Sequence, residues 1–593
     1  MRNEKRTGTV SAAKKKSSRQ SFLHGALILT MAIVLVKVIG ALFKIPLNWI
    51  ITEDGMGYFS TAYNFYSPIF SLATAGFPIA IARMVSENHA KGNYRDIRMI
   101  HRASIPIFLT TGTLGFLIME LGARSYVGIV GNENALPSMV VLAPAILFSC
   151  LSSIYRGYYE GLGNMYPTAL SEIIEALGKL VIGLAAAAGV IAYGMNEYAA
   201  SGTVFGQMVS SEEFARAATL PYAAAGAIFG VTVGSLLSFL FLFIRHRRRG
   251  DGIGKEELKQ AHPSHTLHYT IIKLIKIAIP IGVGSLLVNV ANLVDTTFLQ
   301  TRISDIMNSS GEVLLDMYKG LIPDYNLANP DSIPNYLYGC YANALTLYML
   351  IPAITQAFGI SALPNVTGAW TRGNRKEIKQ SIETVMRVTA LVAIPAGLGI
   401  SALAKPIVQL IYGSRGASDI IARVLVIMGI GAIFASLSTP LQSMLQAVGR
   451  VDLPVKLLVV GLVIKVALNY TLCGIPEINI LGAGTGTVVC YAFITVMSIV
   501  CLCRVTGIMP NFISVFVKPL IAGGLCALSA YLSQSLLAML ISGKIATILA
   551  IGVACVVYVV ALLCLKAIQH SDIQMLPKGQ KIVKLLEKHG WIS

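Results

Sequence analysis

Two lysines seven residues apart, Lys37 and Lys44, interrupt the first long apolar run of the chain. That spacing is two helical turns, so both ammonium groups share one face of a helix. Lys37 sits near the middle of the run 24–51, roughly 20 Å from either end at about 1.5 Å per residue, too deep to reach an interface easily. An ionised group at that depth costs roughly 2.5–3.5 kcal/mol on insertion scales and so faces a water-filled cavity or a partner. Lys44 lies nearer the far end and suits either a snorkelling boundary lysine or a second cation of the same cavity. Together the two could hold an anion such as a pyrophosphate, which an ammonium binds as a point charge.

Further charges within apolar runs suggest pairing, gating or ion binding. Asp295 stands in VNVANLVDTTF beside Asn289 and Asn292, where it could pair with a lysine of the first span or bind a coupling ion. Asn64 in the second span joins Lys37, Lys44 and Asp295 as a candidate for substrate contact. Glu172, Glu175 and Lys179 fall at i, i+3 and i+7. They form one stripe on which Glu175 can reach Lys179 across a turn and steady helix packing. Lys465 repeats Lys179 without the acids, so its partner must come from another helix or from a substrate. Arg83 and Glu87, four apart at the end of the second span, read as a gate or a surface pair.

The elements that hold these residues follow from composition. The 593 residues are 55% hydrophobic and 13% charged, with a mean hydropathy of +0.68, which excludes an ordinary soluble enzyme. Fourteen continuous apolar runs are each long enough for the about 20 residues that cross a bilayer. They lack the alternating ten-residue pattern of a membrane barrel, so the expected fold is an all-α bundle of 14 transmembrane helices. Of the 47 Lys and Arg, 35 fall on the side of the N-terminus, 7 on the other side and 5 within spans. By the positive-inside rule both ends are cytoplasmic. The outer segment 302–334 agrees, carrying five acids against two cations.

Two segments recur. Lys91-Gly92-Asn93 before Arg95-Asp96-Ile97 returns as Arg372-Gly373-Asn374 before Lys376-Glu377-Ile378, and Gly163 and Gly449 each precede a lysine, Lys179 and Lys465, by sixteen residues. Six spans separate the partners, so two six-helix lobes are related by a parallel repeat with two helices appended. The expected division is a disordered basic tail 1–23, a first lobe 24–244, a basic linker 245–270, a second lobe 271–503, the last two spans within 504–566, and an amphipathic tail 567–593. In that tail Ile582, Val583 and Leu586 alternate with lysines, as in a helix lying on a membrane surface.

No phosphate-binding G-x-x-x-x-G-K-[ST] loop is present, and neither the nine cysteines nor the nine histidines are spaced as a metal site. Cys501 and Cys503 form a lone C-x-C, short of the four ligands of a closed zinc site. Nothing argues for an enzyme, a cofactor or a nucleic-acid partner. Gly76-Phe77-Pro78, Pro280 with Gly282 and Gly284, and Pro395 with Gly397 and Gly399 can bend helices, as alternating access requires.

Several stretches resemble the multidrug, oligosaccharidyl-lipid and polysaccharide exporter superfamily, in the branch of the stage V sporulation and polysaccharide-biosynthesis proteins, which is similar to lipid II flippases. They are FLHGALILT from Phe22, AGFPIAIA from Ala75, GLGNMYPTA from Gly161 with Ser171 and Glu175, and LQAVGR from Leu445 leading to Lys465 and Asn469. The resemblance implies a flippase that moves an undecaprenyl-pyrophosphate-linked saccharide outward, with basic residues of the first span (here Lys37 and Lys44) lining its cavity. It also implies membrane lipids and cell-wall synthesis enzymes as neighbours, and sodium, protons or the membrane potential as the driving force. Near Phe70 and Ala75, and in the eighth span, the cations and the acid of lipid II flippases have no counterpart. Two alternatives stay open: a cation-coupled multidrug exporter of the same superfamily, and a non-transporting scaffold for wall synthesis.

Overall fold

The computed structural model describes residues 7–74 and 76–569, and these described residues are 86% helical. The described residues form two compact units that divide between Leu293 and Val294. The division falls within a helix, well after the basic linker expected to separate the lobes.

The first unit begins with α1 (Thr7–Thr74). Residues 7–23, expected as a disordered tail, therefore continue a helix; the segment AAKKK consists of strong helix formers. At Thr52 the backbone turns through φ 55°, ψ −167°, a region that β-branched residues rarely enter, and this break divides the first two expected spans. A second break comes at Gly76, whose φ of 74° suits a residue without Cβ, just before α2 (Phe77–Ala90). Then follow α3 (Tyr94–Val130), α4 (Leu136–Gly161), α5 (Tyr166–Ser201), a two-residue hairpin pairing Thr203 with Met208, α6 (Glu212–Arg249), α7 (Lys255–Gln260) and the first part of α8 (Leu267–Met317). Phe43, Leu47, Ile97, Leu142, Ile146 and Ile228 make its core, none more than 1% exposed.

The second unit takes the rest of α8 and then α9 (Asp324–Ala328), α10 (Ile333–Tyr348), α11 (Leu350–Thr371), α12 (Arg375–Ala402), α13 (Ala404–Tyr412), α14 (Gly416–Ala447), α15 (Asp452–Leu472), α16 (Ile480–Thr506), α17 (Lys518–Leu537) and α18 (Gly543–Cys564). The amphipathic tail lies outside the described residues from His570 on.

Twelve helical stretches among the described residues are long and apolar enough to cross a membrane. The first, Met31–Ala90, is 60 residues long and holds two of the fourteen expected spans. The seventh expected span lies in α8, which is not among the twelve.

The repeat has a local counterpart in the backbone. Gly92 and Gly373 adopt φ of 72° and 68°, and Gly163 and Gly449 adopt 75° and 85°. Each closes a helix with the same backbone bonds: the Gly163 and Gly449 amides donate to Glu160 and Gln446, and the amides of the next residues, Asn164 and Arg450, to Tyr159 and Leu445. Left-handed glycine at a helix end is the common stop signal. Matched glycines thus start α5 and α15 in equivalent ways, and this places Lys179 and Lys465 equally far along their helices.

α5 and α6 approach closely because glycines line their contact. A Cβ built on Gly234 would lie 2.6 Å from the Glu175 carbonyl oxygen, and one on Gly183 would lie 2.8 Å from that of Ala227. Gly234→Val is therefore expected to cost about 1–3 kcal/mol through overpacking, read as a lower melting temperature of the detergent-purified protein. Gly189→Ala, where a Cβ meets nothing within 4 Å, is expected to leave it unchanged.

The basic linker is docked onto the first unit. Asp251 accepts hydrogen bonds from Arg98 at 3.0 and 3.3 Å, from the Tyr158 hydroxyl at 3.1 Å and from the Ile253 amide at 3.1 Å. The His265 amide donates to buried Asp96 at 2.7 Å, and Arg95 donates to the Leu258 carbonyl at 2.9 Å. Burial pushes the Asp251 carboxyl up, but the Arg98 guanidinium and the Ile253 amide outweigh it and hold the group below its ordinary 3.8. A depressed carboxyl contributes stability above its unfolded value, and that contribution disappears as pH falls through the folded one. Amide protection of residues 250–258, corrected for intrinsic exchange, is thus expected to hold from pH 7 to about pH 5 and to fade below about pH 4. Fading already above pH 5 would contradict the role given to Asp251.

Candidate functional site

The first unit brings Lys44 of α1 and Lys179 of α5 close enough for their charges to repel, both half-buried. The Lys179 ammonium lies 4.9 Å from the centre of the Phe43 ring, 5.0 Å from Tyr63 and 5.8 Å from Phe59. Those rings support one another, Phe59 stacking on Tyr63 with centroids 5.8 Å apart. All three come from α1, on either side of its break at Thr52, so the bend that separates two spans also builds the aromatic wall. Ring faces attract a cation most strongly where water is excluded, so the wall partly replaces the water that the Lys179 ammonium has lost.

No such carboxylate is present among the described residues: neither Lys44 nor Lys179 has an oxygen of Asp or Glu within 4.0 Å. The expected pair between Glu175 and Lys179 does not form. Glu175 instead accepts from Arg156 of α4 at 2.7 Å and from Ser235 of α6 at 3.3 Å, and Arg156 is anchored further by Ser171 at 3.0 Å and Ser238 at 2.9 Å. A planar guanidinium with several donors suits a carboxylate better than an ammonium one turn away. Glu172, half-buried on the same stripe, feels the charges of Arg156 and Glu175.

Lys37 lies exposed two turns before Lys44, and Asn64 is half-buried next to Tyr63. The expected Arg83 and Glu87 pair is replaced by one between Glu87 and Lys91 at 2.6 Å, with Lys273 at 3.9 Å, while Arg83 is exposed. An acid placed N-terminal to its cation at i, i+4 agrees with the helix dipole, whereas the reverse order opposes it.

In the second unit the equivalent lysine has the opposite surroundings. Lys465 of α15 donates to Asp295 of α8 at 2.5 Å, and Asn469 one turn later donates to the other carboxylate oxygen at 2.6 Å. Both partners are buried, Asp295 at 6% and Lys465 at 7% exposure. Next to Asp295, Thr296 and the Tyr338 hydroxyl of α10 share a hydrogen bond of 2.9 Å. Asp295 therefore pairs with Lys465, not with a lysine of the first span, and Lys465 finds its partner on another helix, as its isolation in sequence requires. Each unit thus carries a lysine at the same place after its glycine. One stands beside a second lysine, the other is neutralised.

Arg156 and Arg387 belong to the 35 cations that the charge count assigns to the side of the N-terminus, yet both make side-chain contacts within their units that the count does not reveal. Arg387 of α12 is 1% exposed and donates to Ser514 at 3.4 Å. The aromatic wall was missed as well, although Phe59 and Tyr63 stand at i, i+4 and Phe43 adjoins Lys44.

A family model described as polysaccharide biosynthesis protein matches residues 22–215, and one described as MatE matches residues 339–471. The lipid II flippase MurJ of Bacillus subtilis (strain 168) is 26% identical over 468 residues, 76% of this chain and 77% of the relative. Stage V sporulation protein B of the same organism is 22% identical over 488 residues, 81% of this chain and 83% of the relative. Among solved structures, lipid II flippase MurJ in an inward closed conformation matches with a TM-score of 0.59 at 13% identity, covering 90% of this chain and 98% of that one. An inward-facing multidrug resistance transporter of the MATE family matches at 0.56 and 12% identity, covering 80% of this chain and 99% of that one. Together with the apolar helices, these likenesses show a multi-pass membrane protein that is similar to flippases and transporters of the multidrug, oligosaccharidyl-lipid and polysaccharide exporter superfamily.

Proposed function

We propose that this chain is a flippase that carries an undecaprenyl-pyrophosphate-linked saccharide, lipid II or a related wall or polysaccharide precursor, outward across the cytoplasmic membrane by alternating access. The observation that carries this reading is the pair of half-buried ammonium groups of Lys44 and Lys179, which have no carboxylate within ion-pair distance among the described residues. Two partly desolvated cations without a direct ion pair attract a dianion more strongly than they would in water, and a pyrophosphate supplies two adjacent charges. Lys37 extends the cationic face by two turns. The appended α17 and α18 hold the lipid tail. The names of the relatives support a lipid-linked cargo, and the distribution of basic residues supports cytoplasmic termini.

A cation-coupled multidrug exporter would need an acid open to its cargo. Asp295 has both oxygens occupied by Lys465 and Asn469, which favours the anionic cargo. The test is complementation of a Bacillus subtilis strain depleted of its own lipid II flippase. Growth is expected to return with the wild-type chain, to fail with Lys44→Ala and to weaken with Lys37→Ala. A wild-type protein that reaches the membrane without restoring growth would exclude lipid II as cargo. Full growth with Lys44→Ala would remove the anion site.

A further inference from the structure

A second basic feature lies apart from the lysine pair, where α6 ends beside the start of α5. A cleft of about 360 Å³ opens there between the two helices, within the range of small-ligand clefts. Leu170, Phe241 and Ile244 form its apolar wall, and Arg245, Arg248 and Arg249 its rim. Ile244 is 46% exposed, and so is Tyr166 at 60%, at the mouth of the cleft on the first turn of α5. Arg248 and Arg249 sit in the last turn of α6 and Arg245 about one turn earlier, so all three border the same cleft. Arg245 is held in place, its guanidinium 5.5 Å from the centre of the Tyr159 ring. Acids take no part in the lining, unlike the neighbouring cleft where Asp251 occupies Arg98.

We infer that this arginine-rimmed cleft binds the phosphate of an anionic phospholipid from the surrounding bilayer. Guanidinium groups meet phosphate oxygens with paired donors. Basic pockets between transmembrane helices on the cytoplasmic side are suited to anionic head groups, and the cluster lies on the side to which the charge count assigns the cytoplasm. The apolar wall continues from the rim between α5 and α6, so the first methylenes of an acyl chain have a surface to follow. A soluble phosphate would leave that wall in water. The inference is independent of the cargo proposed above.

The test is a lipid titration of the detergent-purified full chain followed by native mass spectrometry, with phosphatidylglycerol and phosphatidylcholine of identical acyl chains. One phosphatidylglycerol is expected to be retained at least tenfold more tightly than phosphatidylcholine. Arg248→Ala/Arg249→Ala is expected to weaken it roughly tenfold or more. Both residues are exposed, so the fold should survive, and Arg248→Gln/Arg249→Gln serves as a second variant. Arg247→Ala removes an adjacent exposed charge that does not line the cleft and is expected to change the affinity less than twofold. Equal retention of phosphatidylcholine, an equal loss with Arg247→Ala, or displacement of the lipid by inorganic phosphate would each overturn the inference.

Discussion

Asp295→Ala is expected to lower the stability of the purified protein by about 3–5 kcal/mol, the usual consequence of removing one partner of a buried ion pair. The carboxylate compensates a lysine that is only 7% exposed and also receives the amide of Asn469 at 2.6 Å. Without it an ammonium and an amide donor are left buried together. The companion expectation has the opposite sign. In Asp295→Ala/Lys465→Met the charge is gone and methionine fills the space of the lysine stem, so most of the loss should be recovered, because apolar replacement of a whole buried pair is often neutral or stabilising. Thermal unfolding in detergent of the wild type, both single variants and the double variant forms a complete cycle. Additive losses would mean that the two groups do not depend on one another, and the pairing would then carry no weight.

Lys179→Met should separate stability from transport. The lysine sets its ammonium against Phe43, Tyr63 and Phe59 without a direct ion pair, so the folded protein bears the cost of a partly desolvated charge. Methionine keeps the contact with the rings and removes that cost, so the melting temperature should stay level or rise. Transport of a pyrophosphate-linked lipid in proteoliposomes should fall by roughly thirtyfold or more, the scale expected when one partner of a desolvated charge pair costs about 2–5 kcal/mol. Lys44→Met/Lys179→Met should abolish it. Such a trade of stability against activity marks a binding group. If Lys179→Met instead lowered the melting temperature and left transport intact, Lys179 would be a packing residue and the anion site would lose its second cation.

The helices were legible because each apolar run is longer than a soluble protein would tolerate. The repeat was legible too, since glycines needed at left-handed helix ends recur with their neighbours, and Gly163 and Gly449 do adopt φ of 75° and 85°. Partner choice was not legible. Glu175 is one turn from Lys179 in sequence, yet α4 delivers Arg156 to it at 2.7 Å. Arg387, near the end of a span by counting, is enclosed at 1% exposure.

By itself the sequence determined the membrane-spanning class of the fold, the stripes on which the charges lie, and the equivalence of Lys179 and Lys465. These follow from hydropathy and helical periodicity, which are local properties. Only the tertiary structure decided that one of these lysines is cancelled by Asp295 while the other stands beside Lys44 within an aromatic wall. The reason is physical: the state of a buried charge is set by whatever other helices bring within about 4 Å of it, and nothing in the spacing along one helix records that distance.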